Sequence, residues 1–189
     1  FFLQESCNVA SNWKTSMNCG ALVTLVAAVH YFYMREFWVT IHMSPILYRY
    51  IDWSITVPLQ MIEFYLILAA IAVVASGVFW RLLVGTLVML IFGYLGEAGV
   101  MNSTIAFWIG MVGWAVIIYE IFAGEASKAA AANESVKAAF GYMRLIVLVG
   151  WAIYPIGYVL GYMMGGVDEG SLNMVYNLAD FVNKILFGL

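Results

Sequence analysis

Six runs of about 20 predominantly apolar residues follow one another along this chain of 189 residues. A helix of that length rises about 30 Å, which matches the hydrocarbon core of a bilayer. Only 10% of the residues are charged, against roughly 25% in an ordinary soluble domain. We therefore predict an all-α membrane protein with a single transmembrane domain over residues 1–189. Its predicted spans are 13–35, 45–70, 78–98, 103–124, 136–164 and 171–189.

The two ends of the chain are both apolar. Phe1 to Leu3 have the composition of the end of an earlier membrane helix, and the last predicted span is still apolar at Leu189. We therefore expect a bundle of seven spans, with the first largely absent from this chain and the last cut short. Cys7 and Cys19 have no disulfide or metal-ligand spacing, so no metal site is predicted. No nucleic-acid partner is predicted either.

The charges of the connections predict an orientation. One set of alternate connections carries the cations Lys14, Arg81, Lys128 and Lys137. The other set carries Arg35 beside Glu36, and Asp168 beside Glu169. Because cytoplasmic loops are enriched in Lys and Arg, the first set is predicted to face the cytoplasm. The longest polar connection, residues 124–135, belongs to that side.

Two opposite charges lie inside the last predicted span. Asp180 and Lys184 are four residues apart, so their side chains share one helix face. Charged groups are costly inside a membrane and usually mark a functional site. A desolvated lysine beside a carboxylate suits covalent Schiff-base chemistry, with the acid as its counter-ion. The alternative is a lysine that extends from the helix end toward the interface.

Further ionisable groups can be ordered by depth. At about 1.5 Å per residue, Asp52 lies about 10 Å inward from the outer surface, Lys184 about 20 Å and Glu63 about 27 Å. His30 comes to about the depth of Asp52, and Arg49 lies one turn outside it. The order describes a series of proton-exchanging groups with a lysine in the middle.

Each group also has a structural alternative. Asp52 could be a hydrogen-bonding partner between helices, and Glu63 a neutral acid that fills a polar gap. His30 could pack between helices, and Arg49 could be an interfacial anchor. The agreement in depth favours the functional interpretation of the set.

Three other charged residues are less informative. Glu97 lies near the end of a span and supports no assignment. Glu120 and Arg144 are expected near the inner interface, in contact with solvent.

Aromatic residues are placed to enclose an apolar cavity around the lysine. Pro155 inside a span predicts a kink and a released backbone carbonyl, which membrane helices tolerate. Aromatic residues at helical spacing are usually core packing, but here they could enclose a long, flat ligand attached to the lysine: Trp53, Trp114, Trp151, Tyr154 and Tyr176.

Several motifs together identify a family. They are Tyr48-Arg49-Tyr50-Ile51-Asp52-Trp53, Thr56-Val57-Pro58-Leu59, Glu63-Phe64-Tyr65-Leu66-Ile67-Leu68, Phe92-Gly93-Tyr94-Leu95-Gly96-Glu97-Ala98-Gly99, Gly150-Trp151-Ala152-Ile153-Tyr154-Pro155 and Tyr176-Asn177-Leu178-Ala179-Asp180-Phe181-Val182-Asn183-Lys184. Over nearly its whole length the chain resembles the microbial rhodopsins, and within them the proteorhodopsins.

The resemblance implies all-trans retinal bound to Lys184 as a protonated Schiff base. It implies Asp52 as the proton acceptor, Asp180 as the second counter-ion and Glu63 as the proton donor from the cytoplasmic side. His30 would pair with Asp52 and, together with Arg49, tune the acidity of its carboxyl group. The retinal pocket would include Trp53, Thr56, Gln60, Met89, Trp114, Trp151, Tyr154, Pro155 and Tyr176.

The resemblance also implies an activity. In the family, the residues at the positions of Asp52, Thr56 and Glu63 distinguish proton pumps from chloride pumps, sodium pumps and sensors, and this chain has the proton-pump set. Gln60 stands where blue-absorbing proteorhodopsins carry glutamine. The implied function is a blue-absorbing, light-driven outward proton pump, not an enzyme, in a bacterial inner membrane and assembled as a pentamer or hexamer. The alternatives are a slow-cycling light sensor that signals through a partner, and a retinal-free transporter or channel.

Overall fold

The computed structural model describes all 189 residues, which form helices and no strands. The helices are α1 (Phe2–Glu5), α2 (Lys14–Ile41), α3 (Ile46–Ala69), α4 (Ser76–Glu97), α5 (Ser103–Phe122), α6 (Glu125–Ala130), α7 (Glu134–Leu145), α8 (Ile153–Tyr158) and α9 (Glu169–Gly188). Two π-helical segments, Ile146–Gly150 and Val159–Met163, join and extend α7 and α8 into one long kinked helix.

Five helical stretches are long and apolar enough to cross a membrane: Lys14–Ile41, Ile46–Ala69, Ser76–Glu97, Ser103–Ala130 and Glu134–Met163. The sixth predicted span, 171–189, forms helix α9 but does not reach the same apolar composition. Its polar side chains, including Asp180, Asn183 and Lys184, are buried inside the bundle, while Phe181 and Leu186 are exposed. The helix therefore presents an apolar face outward and a polar face to the site.

Side-chain caps explain where three helices begin. The Asn102 side chain accepts hydrogen bonds from the first turn of α5, and Asn133 does the same for α7. At the start of α9, the Asp168 carboxylate accepts from the Ser171 N–H at 2.9 Å. These caps satisfy backbone donors that have no partner within the helix.

The prediction that the first span ends at residue 35 was wrong by about two turns. Helix α2 continues through Arg35 and Glu36 to Ile41, and His42 closes it in the left-handed conformation at φ 58°. Arg and Glu are good helix formers, and no Gly or Pro interrupts this stretch. The charge pair that suggested a loop is therefore part of the helix.

Helices α4 and α5 approach each other closely at a pair of glycines. A Cβ atom added to Gly113 would lie 2.5 Å from the Gly85 carbonyl oxygen, too close for any side chain. Small residues at such crossings let membrane helices pack backbone against backbone. This contact fixes α4 and α5 as a rigid wall beside the central helix α3.

The polar connection 124–135 is not a plain loop, because it contains helix α6. Ala126 and Ala130 of α6 are buried in the core of the bundle. A short helix packed on the core provides hydrogen-bond partners for backbone groups that would lack them in an irregular segment.

The expectation that Glu120 is solvated was wrong. Its carboxylate is buried, and it accepts hydrogen bonds from Arg81 Nε at 2.6 Å and from the Ala126 N–H at 2.9 Å. The packing of α6 over this carboxylate excludes solvent from it. The Arg144 guanidinium lies over the Phe122 ring, 4.9 Å from its centroid.

Candidate functional site

The amine of Lys184 lies between two carboxylates inside the bundle. Its Nζ donates to Asp52 Oδ2, on α3, and at 3.1 Å to Asp180 Oδ2, one turn earlier on α9. All three side chains are buried. The structure thus brings together the lysine and both of the carboxylates that the sequence singled out.

The two carboxylates differ in how they are held. Both oxygens of Asp180 are engaged, since Oδ1 accepts from Tyr154 at 2.5 Å, and Oδ2 accepts from Tyr31 at 2.5 Å and Trp53 at 2.8 Å. Asp52 Oδ2 contacts Lys184, but Asp52 Oδ1 has no hydrogen-bond partner. Asp52 therefore has an oxygen without a donor beside the lysine, whereas each oxygen of Asp180 accepts at least one hydrogen bond.

His30 lies beside the free oxygen of Asp52. Its Nδ1 is 4.0 Å from Asp52 Oδ1, within ion-pair range, and 2.9 Å from the carbonyl oxygen of Val26 in its own helix. The predicted neighbours are thus close, although no hydrogen bond joins them. The Thr56 hydroxyl donates to the backbone oxygen of Asp52 at 3.0 Å, not to the carboxylate.

Arg49 is fully buried on the outer side of Asp52. Its guanidinium donates to the side-chain oxygen of Asn173 and lies 5.0 Å from the centroid of the Tyr176 ring. Arg49 Nε has no partner. A residue at a membrane interface would be solvated, so the burial does not fit the interfacial-anchor alternative.

Glu63 is buried toward the inner side of α3. Its Oε1 is 3.5 Å from the Ser16 hydroxyl of α2, and its Oε2 has no partner. No cation pairs with it, in contrast to Asp52 and Asp180. A carboxyl buried without a cation favours its neutral, protonated form.

An apolar cavity extends from Lys184 between α3, α4, α5 and the kinked helix. It holds about 820 Å³ of empty space, counting its open mouth. Its wall includes the predicted residues Trp53, Gln60, Met89, Trp114, Trp151, Tyr154 and Pro155.

Two predicted pocket residues do not line this cavity. Thr56 is buried beneath Asp52. Tyr176 packs behind the wall, with its ring centroid 6.0 Å from that of Trp53 and 5.7 Å from that of Tyr154.

The residues present fit a long, flat, apolar ligand joined to Lys184. The cavity ends at a buried amine, its sides are mostly apolar and include several aromatic rings, and the Gln60 amide nitrogen is buried there without a partner. An amide with no protein partner can act on a bound ligand by its dipole. Retinal has the shape and the aldehyde that such a site requires.

Sequence reasoning missed Tyr31, Asn183 and Glu97 as site residues. Tyr31 donates to Asp180, and Asn183 and Glu97 line the cavity. Tyr31 follows His30 in a helix rich in aromatic residues, so its pattern resembles ordinary packing. Asn183 directly precedes Lys184, and this adjacency could have indicated that Asn183 belongs to the site.

Comparison with known proteins agrees with this geometry. The model of the bacteriorhodopsin-like protein family matches residues 1–189. The chain is 54% identical over 193 residues to a green-light absorbing proteorhodopsin of Gamma-proteobacterium EBAC31A08, covering 100% of this chain and 77% of that protein. It is 52% identical over 192 residues to a blue-light absorbing proteorhodopsin of Gamma-proteobacterium Hot 75m4, covering 100% of this chain and 76% of the relative.

Solved structures give the same result. The crystal structure of the blue light-absorbing proteorhodopsin from Med12 superposes with a TM-score of 0.85 at 49% identity, covering 100% of this chain and 85% of that one. The Exiguobacterium sibiricum rhodopsin superposes with a TM-score of 0.84 at 34% identity, covering 99% and 84%. The chain has the seven-helix bundle fold of these proteins, and the family predicted from its motifs is confirmed: it belongs to the bacteriorhodopsin-like proteins, the microbial rhodopsins, and is similar to proteorhodopsins.

Proposed function

We propose that this microbial rhodopsin is a light-driven outward proton pump that binds all-trans retinal on Lys184 and absorbs blue light. The observation that carries the proposal is the asymmetry around the lysine. Asp52 has an oxygen without a partner, and Asp180 is held by three donors besides Lys184. Asp52 is therefore the less engaged of the two acceptors for a proton that leaves the lysine nitrogen.

Each residue of the site has a separate role in proton transport. Bound retinal supplies visible absorption and a light-driven change of shape. Asp52 and Asp180 offset the positive charge on the lysine nitrogen before light arrives. Asp52 then accepts the proton, which removes the attraction between the pair. Asp180, held by Tyr31, Trp53 and Tyr154, keeps its position during the transfer.

Glu63 completes the proton path from the inner side. It lies about 17 Å from Asp52 by helix rise, so a proton from Glu63 reaches the lysine nitrogen from the side opposite to Asp52. Arg49 and His30 lie near Asp52 and favour later release of its proton outward. Uptake inside and release outside give net outward transport.

One experiment tests the pump directly. Cells that contain the protein and retinal should acidify their medium under illumination, and a protonophore should abolish the change. A coloured protein that produces no pH change would support the sensor alternative instead. We place the pump in a bacterial inner membrane as a homo-oligomer, a pentamer or hexamer, with retinal, protons and the bilayer as its partners.

Glu63→Gln should slow the return of the proton to the lysine nitrogen and leave the colour nearly unchanged. General acid catalysis is worth roughly a hundred-fold or more, so we expect slowing of about that size. Flash photolysis measures the step, which should become dependent on the external pH and accelerate with added small acids. Glu134→Gln, at an exposed position, is the control and should behave as the parent. Equal rates in Glu63→Gln and the parent would exclude Glu63 as the donor.

Gln60→Leu should move the absorption band to the red. Excitation of bound retinal moves positive charge away from Lys184, and the Gln60 dipole beside the cavity stabilises the ground state more than the excited state. Leucine removes the dipole at similar volume. Spectra of both proteins at one alkaline pH, where Asp52 is ionised in each, measure the shift.

The neighbouring substitution Met61→Leu is the matched control for colour. Met61 is buried in the core and does not line the cavity, so its band should stay in place. Coincident maxima for the parent and Gln60→Leu would leave Gln60 with a structural role only.

A further inference from the structure

The kinked helix releases a backbone carbonyl next to the cavity. In the first π segment the Trp151 N–H donates to Ile146, five residues back, at 3.0 Å, and the Tyr154 N–H donates to Trp151 at 3.1 Å. Residue 155, five residues after Gly150, is a proline and has no N–H. The Gly150 carbonyl thus lies where the regular pattern of backbone donors is broken. A buried carbonyl without a donor is costly.

Asn183 supplies that donor from the neighbouring helix. Its Nδ2 donates to the Gly150 oxygen at 3.0 Å, and its side chain is buried. The contact is close, because a Cβ atom at position 150 would lie 2.2 Å from Asn183 Oδ1. Only glycine allows the two helices to meet at this point.

This bond connects the two helices directly beside residues that line the cavity. Asn183 directly precedes Lys184, and Gly150 directly precedes Trp151. Two further bonds link the kinked helix to α9: Tyr154 to Asp180, and Tyr176 to the Tyr154 carbonyl. Of the three, the Asn183 bond joins two neutral groups and does not involve a counter-ion.

We propose that Asn183 is a positioning residue, which ties the Lys184 turn of α9 to the carbonyl released by the π segment. Through that bond it holds the Trp151–Pro155 wall against Lys184. Its action is mechanical, since replacing it removes no charge from Asp52 or Asp180.

The bond can be tested in the protein without retinal. Only two peptide bonds in the chain join a glycine carbonyl to a tryptophan nitrogen, Gly113–Trp114 and Gly150–Trp151. Labelling glycine carbonyls with ¹³C and tryptophan nitrogens with ¹⁵N therefore gives two correlated signals in solid-state NMR. In Asn183→Leu the Gly150 signal should shift to lower frequency, as expected on loss of a hydrogen bond, and the Gly113 signal should stay as an internal control. An unchanged Gly150 signal would overturn the proposal.

A second measurement needs no variant. In parent protein with ¹⁵N in its asparagine side chains, the Gly150 carbonyl carbon should show a dipolar contact to an amide nitrogen. Absence of that contact would also overturn the proposal, even if Asn183→Leu fails to fold.

A third experiment measures the effect of Asn183 on bound retinal. It rests on the proposed retinal linkage, and its outcome is independent of the NMR result. In the dark, hydroxylamine should bleach Asn183→Leu roughly five-fold faster than the parent, the factor for about one net hydrogen bond. Asn177→Leu makes the same change on the same helix, away from the cavity wall, and should bleach like the parent. The midpoint of the acid-induced colour change should not move in Asn183→Leu. Unchanged bleaching, or a moved midpoint, would count against a mechanical role.

Discussion

Lys184→Ala should abolish the visible absorption band that retinal develops with the parent protein. The Lys184 amine is the only lysine nitrogen that lines the cavity, so its removal leaves no nucleophile to bind the aldehyde there. Purified variant mixed with all-trans retinal should show only the spectrum of free retinal. A retained red-shifted band would exclude Lys184 as the attachment site.

The control for folding is Lys184→Arg. Removing the lysine leaves Asp52 and Asp180 buried without their cation, which is strongly destabilising by itself. Arginine keeps a cation between the carboxylates but cannot form the covalent link. Both variants should therefore lack the band, and Lys184→Arg should still insert as a folded bundle. Lys137→Ala, at an exposed lysine, should keep the parent spectrum.

The central part of the site could be predicted because few residues can carry it. A charge inside an apolar helix is costly, so Lys184, Asp52 and Glu63 are conspicuous in the sequence. The helix rise then places them at defined depths. Asp180 shares a helix face with Lys184 by its spacing alone. The contacts of Lys184 with both aspartates follow from these constraints.

The details that depend on neighbouring helices could not be predicted. Pro155 predicts a kink, but the π segment before it contacts Asn183 on another helix, at a point where Gly150 has no side chain. Glu120 was expected in solvent because nothing in its own helix indicates that α6 folds over it. In both cases the decisive contact comes from a residue on another segment.

The end of α2 could not be predicted from the sequence for a different reason. Arg35 and Glu36 have the composition of a membrane boundary, yet both residues favour helix. Charge composition marks where a span leaves the apolar region, whereas the helix ends only where the backbone changes conformation, at His42.

Asp52→Asn should shift the absorption band to the red already at neutral pH and should abolish outward pumping. In the parent, lowering the pH protonates Asp52, removes one of the two negative charges beside Lys184 and moves the band to the red. Asparagine mimics the protonated acid at every pH, so the variant should lose this titration. Spectra across a pH series, together with light-driven pH changes in cells, measure both effects.

Two further variants distinguish the role of Asp52 from the roles of Asp180 and Asp168. Asp180→Asn also removes a negative charge, so its band should move, but its acid titration should persist because Asp52 is intact. Asp168 is exposed at the start of α9, and the hydrogen bond from Ser171 holds the pKa of its carboxyl below the usual value. Asp168→Asn should therefore match the parent in colour and pumping.

The acceptor assignment depends on the free oxygen of Asp52. If Asp52→Asn kept the parent spectrum and pumped normally, the proton would have to pass to Asp180, the other carboxylate in contact with Lys184. That route requires a carboxylate whose two oxygens already accept from Tyr31, Trp53 and Tyr154. Protonating Asp180 Oδ2, the oxygen in contact with Lys184, would weaken its hydrogen bonds from Tyr31 and Trp53, because hydrogen bonds to an ionised carboxylate are stronger than those to a neutral acid. Asp52 can take up a proton on Oδ1, which has no other hydrogen-bond donor, and this is why we expect pumping to stop when that carboxylate is removed.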